Sequence, residues 1–396
     1  MRCKRLAVAS LYSTRAEQDS SWCDQGEGLM SFERFRIGGR SRSFRRFVRL
    51  AGLVAATGTL LAVTPASSWA GIANAGLPGG SKTNPLAGMQ WGIYRGPIDG
   101  VYPAYQAARG RNRRLMAKIA LQPLTIWTGA WYPVNYAQTV AREIVQDTTG
   151  GNANVLSQVA VFRLDPWEVC HGSWSTGDQV SYRAWISQFA AGIGRSRVAL
   201  ILQPDLPFAL CAGSPAPTQL VAYAAAKFTA LRHTTVYIDI GAAQWASVGQ
   251  AVSLLEQSGI RHVRGFALNV TQYGSTAAEL EYGAAIARAL GAAGIRNKHF
   301  VINTDENGAP FLAGQYPGNA NEARACNSPH DHICVTLGIP PTTDVANPRW
   351  GLSAADRAIA RQDADAYLWA GRPWVDNNSG AFVFSRALQL ALSTPF

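Results

Sequence analysis

Seven short apolar runs, rich in aliphatic and β-branched residues, punctuate the chain after residue 110, at 118–127, 155–164, 198–206, 235–241, 263–270, 299–304 and 364–370. Most are separated by stretches of helical periodicity, at 136–147, 182–193, 218–231, 246–258 and 277–290. A strand that is apolar at nearly every position must be covered on both faces, and alternating amphipathic helices supply that cover. The pattern predicts an α/β fold built on a parallel sheet. No Gly-rich phosphate loop follows the first strand, which argues against a doubly wound nucleotide-binding sheet. Seven such units favour a distorted, roughly seven-stranded parallel (β/α) barrel, TIM-barrel-like in its organisation. Residues 310–352 show neither period and are expected to form a loop-rich segment over one barrel end. No linker or second domain is visible, so 76–396 is expected to be a single domain.

Ahead of this pattern the chain reads as a leader, 1–75. Arg42, Arg45, Arg46 and Arg49 precede an uncharged apolar run at 50–63, and small residues follow, with cleavage expected after Ala70 or Ala75. The run is too short to span a bilayer comfortably, so no stable membrane insertion is expected after cleavage. Arg45-Arg46 also fits a twin-arginine signal, and the expected destination is secretion or the cell envelope by that route or the Sec route. Residues 1–29 carry none of these features, which points to Met30 as the true start. The leader also explains much of the charge. The whole chain carries +11, but residues 1–50 hold eleven Lys/Arg against five Asp/Glu. With the surplus in a removable segment and no basic run interleaved with aromatics, nucleic-acid binding is not expected.

Cysteine usage agrees with export. Cys3 and Cys23 lie upstream of the apolar run, leaving Cys170, Cys211, Cys326 and Cys334. In an oxidising compartment an even set of four is read as two disulfides, with three connectivities open. His330, His332 and Cys334 crowd one loop at a spacing that matches no standard metal motif, so no metal is expected, and no cofactor.

Barrel chemistry sits at the C-terminal ends of the strands. Those ends carry Trp127, then Asp165 with Trp167 and Glu168, then Asp205, Asp239, Asn269, Asp305 with Glu306, and Trp369. Carboxyls, an amide and indoles converging on one mouth suit glycoside hydrolysis, which needs a protonated carboxyl for the leaving oxygen and polar groups around a flat sugar. Twelve Trp in a chain of low charge fit the same picture. No G-x-S-x-G is present, and the cysteines are better used as disulfides, so no competing nucleophile emerges.

At these strand ends the sequence resembles glycoside hydrolase family 6, the cellobiohydrolase and endoglucanase family. Asn84-Pro-Leu-Ala-Gly88 resembles the start of its catalytic domain, and Ile119-Ala-Leu-Gln-Pro-Leu-Thr-Ile-Trp127 its first strand. Ala199-Leu-Ile-Leu-Gln-Pro-Asp205 is similar to the family's I-x-E-P-D strand, whose Asp is the general acid. Val236-Tyr-Ile-Asp-Ile-Gly241 with Trp245 resembles Y-x-D-A-G-H-x-x-W, and Arg264-Gly-Phe-Ala-Leu-Asn-Val270 resembles R-G-F-x-x-N-V. His299-Phe-Val-Ile-Asn-Thr304, Asn307-Gly308, Cys326-Asn327, Gly338-Ile-Pro-Pro-Thr-Thr343 and Asp365-Ala-Tyr-Leu-Trp369 follow in family order, so the likeness covers 84–396. The preferred disulfide set is Cys170–Cys211 with Cys326–Cys334, and the resemblance supports the first pair.

Departures accompany the likeness. The family's P-x-R-D-C is replaced by Pro166-Trp-Glu-Val-Cys170, with Glu168 at the Arg position and Val169 at the Asp position. A slip of one residue lets Glu168 supply the missing carboxylate. Gln203 replaces Glu, Ala242 replaces His, Ala325 replaces Trp, and Gly371 stands where the family has Lys. The family's proposed base falls on Asn377 by direct count, with Asp376 one position away.

What the resemblance implies is a secreted, inverting hydrolase of β-1,4-glucan or a related polysaccharide, a monomer whose partner is the polysaccharide. Asp205 is expected to be the acid, Glu168 or Asp165 to couple to it, and Asp376 to activate water. Trp127, Trp245, Asn269, Tyr273 and Trp369 are expected to contact sugar, with Trp374 a further stacking candidate, while Asp239 is expected to serve as a structural hydrogen-bonding group. Two alternatives remain open at this point. One is a catalytically weakened glycan-binding protein; the other is a hydrolase of a non-cellulosic cell-wall polysaccharide.

Overall fold

The computed structural model describes residues 83–376 and 380–396. The leader with its basic cluster, apolar run and Met30 start lies outside the described residues, as does Asn377. Among the described residues eight strands, all parallel, form one sheet: β1 (Gln90–Trp91), β2 (Thr125–Gly129), β3 (Val155–Phe162), β4 (Arg197–Leu202), β5 (Thr234–Asp239), β6 (Gly265–Leu268), β7 (His299–Asn303) and β8 (Ala364–Leu368). Strands β2 to β8 pair in sequence order, and the short β1 pairs with the first residues of β3. The ring returns on itself through a single bridge, in which Thr125 N–H donates to the Trp369 carbonyl at 2.9 Å. This is a curled, seven-stranded barrel with a thin seam between β8 and β2.

Among the described residues ten helices surround it: α1 (Val101–Ala107), α2 (Gly110–Ala120), α3 (Ala137–Thr149), α4 (Pro166–His171), α5 (Thr176–Ile193), α6 (Ala216–Thr229), α7 (Val248–Gln257), α8 (Thr276–Ala292), α9 (Ala354–Asp363) and α10 (Phe384–Ser393). Their starts are written locally. Ser175, Ser247 and Ser353 open α5, α7 and α9 with capping boxes closed by Asp178, Gln250 and Asp356. Asp165 caps α4 by accepting the Trp167 N–H at 2.9 Å, and Ser275 caps α8.

Strand alternation sorts side chains into two apolar layers. Val198, Leu200 and Leu202 of β4 face the helices, whereas Ala199 and Ile201 face the barrel interior with Tyr237, Ala267, Val301 and Ala366. The next inward position on β5 is Asp239, and the one beyond β6 is Asn269, so the period that packs the barrel also aims polar groups at its mouth.

The first apolar run, 118–127, divides differently from the expectation. Lys118 to Ala120 belong to α2, because Met116, Ile119 and Ala120 share one buried helical face, and β2 starts only at Thr125. The segment 310–352 contains only single-turn helices. It leaves the tip of β7 and descends along β8, where Thr342 and Tyr367 exchange backbone hydrogen bonds of 3.0 and 2.9 Å. It thus pairs with the edge of β8 turned away from β7, before α9 leads back into that strand. Cys170–Cys211 and Cys326–Cys334 are both bonded, with Cα separations of 5.1 and 5.0 Å. No helix among the described residues is long and apolar enough to cross a membrane.

Near the strand starts, a β-bulge opposite Phe300 and Val301 turns Asp365 inward. There Arg264 donates to it in a two-pronged bond, Nε to Oδ2 and Nη2 to Oδ1, both 2.8 Å, and the Tyr237 hydroxyl donates at 2.7 Å. Both charged side chains are buried.

Candidate active site

Asp205 stands three residues past the end of β4 with φ 65°, and Gln203 two positions before it has φ 57°. Two left-handed non-glycine residues in three are costly and persist only where surroundings hold them. Here the hold is visible. The Gln203 amide donates to the Leu164 and Pro204 carbonyls at 2.8 and 3.1 Å and accepts from Leu164 N–H at 3.1 Å, tying the β3 and β4 tips together. Asp239 accepts the Asp205 N–H at 3.1 Å and the Gly241 N–H at 3.0 Å on one oxygen. The Asp205 carboxyl itself receives the Thr271 hydroxyl at 2.7 Å.

Burial dominates the electrostatics of Asp205. Its carboxyl is pushed up to about 6, with the Thr271 hydrogen bond working against the shift and the charge of Asp165 adding to it. Asp165, exposed at the start of α4, is thus the β3-tip carboxylate felt at Asp205. Glu168 is half-buried one turn along and raised by burial, with Arg163 opposing. Asp239 is buried and held well above the usual carboxylate range, by desolvation and then by the charge of Asp205.

On the far side of the mouth a second acidic group forms after β7. Asp305 accepts the Gly371 N–H at 3.1 and 2.9 Å on its two oxygens and the Arg372 N–H at 3.2 Å; burial raises its carboxyl to about 7. Glu306 is buried beside it and raised further by burial and by Asp305, with Arg386 and Arg372 opposing. Gly371 packs directly against this pair. A Cβ at this position would lie 2.6 Å from Glu306 Cδ and 2.7 Å from Asp305 Oδ1, so the residue that replaces the family's Lys makes room for the acid pair. Arg372, at φ 63°, stacks its guanidinium 4.6 Å from the centroid of the Trp127 ring.

The proposed sugar-contacting residues divide. Trp245 is half-exposed, set edge-on to Phe208 at 5.4 Å, and folds back over Gly241, whose φ of 75° and missing Cβ allow it. Trp127 is 6% exposed under Arg372, with its indole N–H on the Ala370 carbonyl at 2.5 Å. Asn269 spends its amide inside the protein, donating to the Gly274 and Asn303 carbonyls at 3.2 Å and accepting from Gly274 N–H at 3.0 Å. Tyr273 stacks on Phe311 at 4.6 Å and donates to the Ala320 carbonyl at 2.9 Å; Trp369 donates to the Ile339 carbonyl at 2.9 Å, and Trp374 is buried. Asp376 is exposed, four residues beyond Arg372. Sequence reasoning missed Thr271, Gln203's tie and Arg372, since each acts through a contact made across strand tips.

Several buried or half-buried carboxyls share one consequence. Asp99 and Asp205 are raised to about 6, Asp305 to about 7 and Glu279 to about 8, in each case first by burial. Between the unfolded carboxylate range and these values the folded chain holds protons that the unfolded chain has released. Their contribution therefore makes stability fall as pH rises from about 4 to 8. Thermal unfolding is expected to give a higher Tm at pH 5 than at pH 8; equal or reversed values would contradict the burial of these groups.

A parallel barrel with a desolvated carboxyl at one strand tip and indoles near its mouth suits glycoside hydrolysis. Comparison with known proteins agrees: the model of glycosyl hydrolases family 6 matches residues 93–373, and the chain belongs to that family. Endoglucanase A of Cellulomonas fimi is 36% identical over 289 residues, an alignment spanning 71% of this chain and 55% of that protein. An endoglucanase 1 from Streptomyces sp. (strain KSM-9) is 27% identical over 383 residues, covering 89% and 94%. Among solved structures, the endoglucanase Cel6 of Mycobacterium tuberculosis, bound to methyl-cellobiosyl-4-deoxy-4-thio-β-D-cellobioside, superposes with TM-score 0.59 at 27% identity. That match covers 78% of this chain and 98% of the other.

Proposed function

We propose that the exported, mature chain hydrolyses a β-1,4-glucan or a closely related polysaccharide with inversion, Asp205 serving as general acid. The observation that carries this is a half-buried carboxyl at the β4 tip, pushed up to about 6 and braced by Thr271 and Asp239. A proton donor must hold its proton near working pH, and desolvation supplies that. In the reaction the Asp205 proton passes to the glycosidic oxygen as the bond to the anomeric carbon breaks. Water adds from the opposite face and gives its proton to a second carboxyl, roughly 6.5–9.5 Å from the first in inverting enzymes. Asp376 and Glu168 are candidates for supporting carboxylates, and Trp245 for stacking on sugar. Two disulfides fit an oxidising compartment and hence secretion or envelope location.

The test is reducing-end release from a panel of β-glucans, mannans and xylans, with the product anomer read by NMR. Turnover with inversion supports the reading; retention of configuration or silence across the panel overturns it. The basic limb of the pH profile is expected near 6, because activity falls as Asp205 loses its proton. Thr271→Val removes the hydrogen bond that favours the carboxylate, so it should move that limb upward; an unmoved limb would mean that Asp205 does not set it.

One observation favours a substrate other than plain cellulose. Arg372 occupies a face of the inner indole, Trp127, so a sugar meets a guanidinium there in place of a bare ring. The same panel decides between glucan and non-cellulosic preference.

A further inference from the structure

The described residues leave few indole faces for a sugar. Trp127, Trp174, Trp185, Trp350, Trp369 and Trp374 are all buried. Two others stand out: Trp131 is 51% exposed and Trp167 57% exposed, the most exposed aromatic side chains among the described residues. An exposed indole forfeits much of the stabilisation that burying so large a side chain provides, and such residues clustered on one surface mark a binding site.

Their positions are specific. Trp131 follows the last residue of β2 by two, with its ring set against Gly129, whose Cβ would lie 2.7 Å from the indole Cζ3. Trp167 lies in the first turn of α4, directly beyond β3, its backbone N–H held by the Asp165 cap and its ring 4.1 Å from His171. Strands β2 and β3 are paired neighbours, with Gly129 across from Phe162. The next tip, β4, carries Asp205, and the next, β5, leads to half-exposed Trp245. Neighbouring strands lie about 4.8 Å apart, so the four tips follow one another around the rim on the scale of successive sugar rings. Along these four of the seven strand tips the order is indole, indole, acid, indole. The inner ring, Trp127, is meanwhile capped by Arg372.

We propose that Trp131 and Trp167 form a stacking platform on the barrel rim that holds a neutral glucan chain on one side of Asp205, with Trp245 on the other. This rests on the hydrolase reading above. The platform moves sugar contacts outward from the closed inner indole, which leaves a shallow track suited to internal stretches of a chain. Flat, uncharged indole faces select for the apolar faces of neutral sugars over acidic ones.

The test is calorimetric binding of cellobiose and cellohexaose to the mature chain carrying Asp205→Asn, which separates binding from turnover. Both indoles are more than half exposed, so Trp131→Ala and Trp167→Ala should fold, as unchanged Tm verifies. The double variant is expected to weaken cellohexaose binding by about 5- to 100-fold, on the scale of two aromatic contacts, while cellobiose loses much less. Phe at both positions should restore most of the affinity. Unchanged cellohexaose affinity in the double variant overturns the platform, as does an equal loss for both sugars. Full binding by the Asp205→Asn parent, beside a wild-type chain that hydrolyses nothing, leaves the platform standing and removes the hydrolase reading instead.

Discussion

Asp205→Asn is expected to lower kcat on β-1,4-glucan by about 10²–10⁴-fold with little change in substrate binding. Asn is nearly isosteric. Its carbonyl oxygen accepts the Thr271 hydroxyl as the carboxyl does, and its backbone N–H still reaches Asp239, so the strained tip keeps its shape. What it lacks is a proton to give. The loss should therefore shrink on substrates whose leaving group departs without protonation, such as a glycosyl fluoride, and remain large on glucan. Measuring kcat on both substrates checks this. A variant at full rate on glucan would remove Asp205 from the chemistry, and an equal loss on both would assign it a structural role.

The largest stability effect is expected far from the mouth. Asp365→Ala leaves Arg264 with its charge buried and without the carboxylate that grips it through two 2.8 Å bonds. Guanidinium does not shed its proton at any accessible pH, so the uncompensated charge stays. Tyr237 also loses the acceptor of its hydroxyl. Breaking a buried pair from one side costs about 3–5 kcal/mol, which corresponds to a Tm lowered by roughly 6–20 °C. Thermal melts decide it, and a drop of less than about 2 °C would show that the pair adds nothing to the barrel's closure. Asp365→Asn should cost less, because one acceptor oxygen remains for Arg264.

Much of the barrel is legible in local sequence. Val198 to Leu202 is apolar at every position, and in a sheet flanked on both sides that is what a buried parallel strand requires. Ser175 with Asp178 and Ser247 with Gln250 announce helix starts by chemistry confined to four residues. Among several strand-end carboxyls Asp205 could be proposed as the acid because its segment, Ala199 to Asp205, resembles the family's I-x-E-P-D strand. The run 118–127 was misleading for an equally local reason: Met116 and Ile119 serve a helix face as well as they would a strand, and only packing chooses. Short apolar runs carry no period of their own to decide the matter.

The site divides along the same line. Sequence alone determined the fold class and the family likeness, and it nominated the cysteine pairing and the candidate acid, because these rest on short motifs in family order or on a strand's fixed period of two. Tertiary structure decided who touches whom at the mouth. Asn269 and Tyr273 look like sugar ligands along the chain, yet their polar atoms are taken by Gly274, Asn303 and Ala320 once the β6 and β7 loops close over them. Trp127 looks like an open platform, yet Arg372, 245 residues on, lies over it because Asp305 pins the backbone at Gly371. Thr271 becomes the partner of Asp205 only where the β4 and β6 tips curve towards one another. Period and propensity act over a few residues, whereas contacts across a barrel mouth are set by the closure of the whole ring.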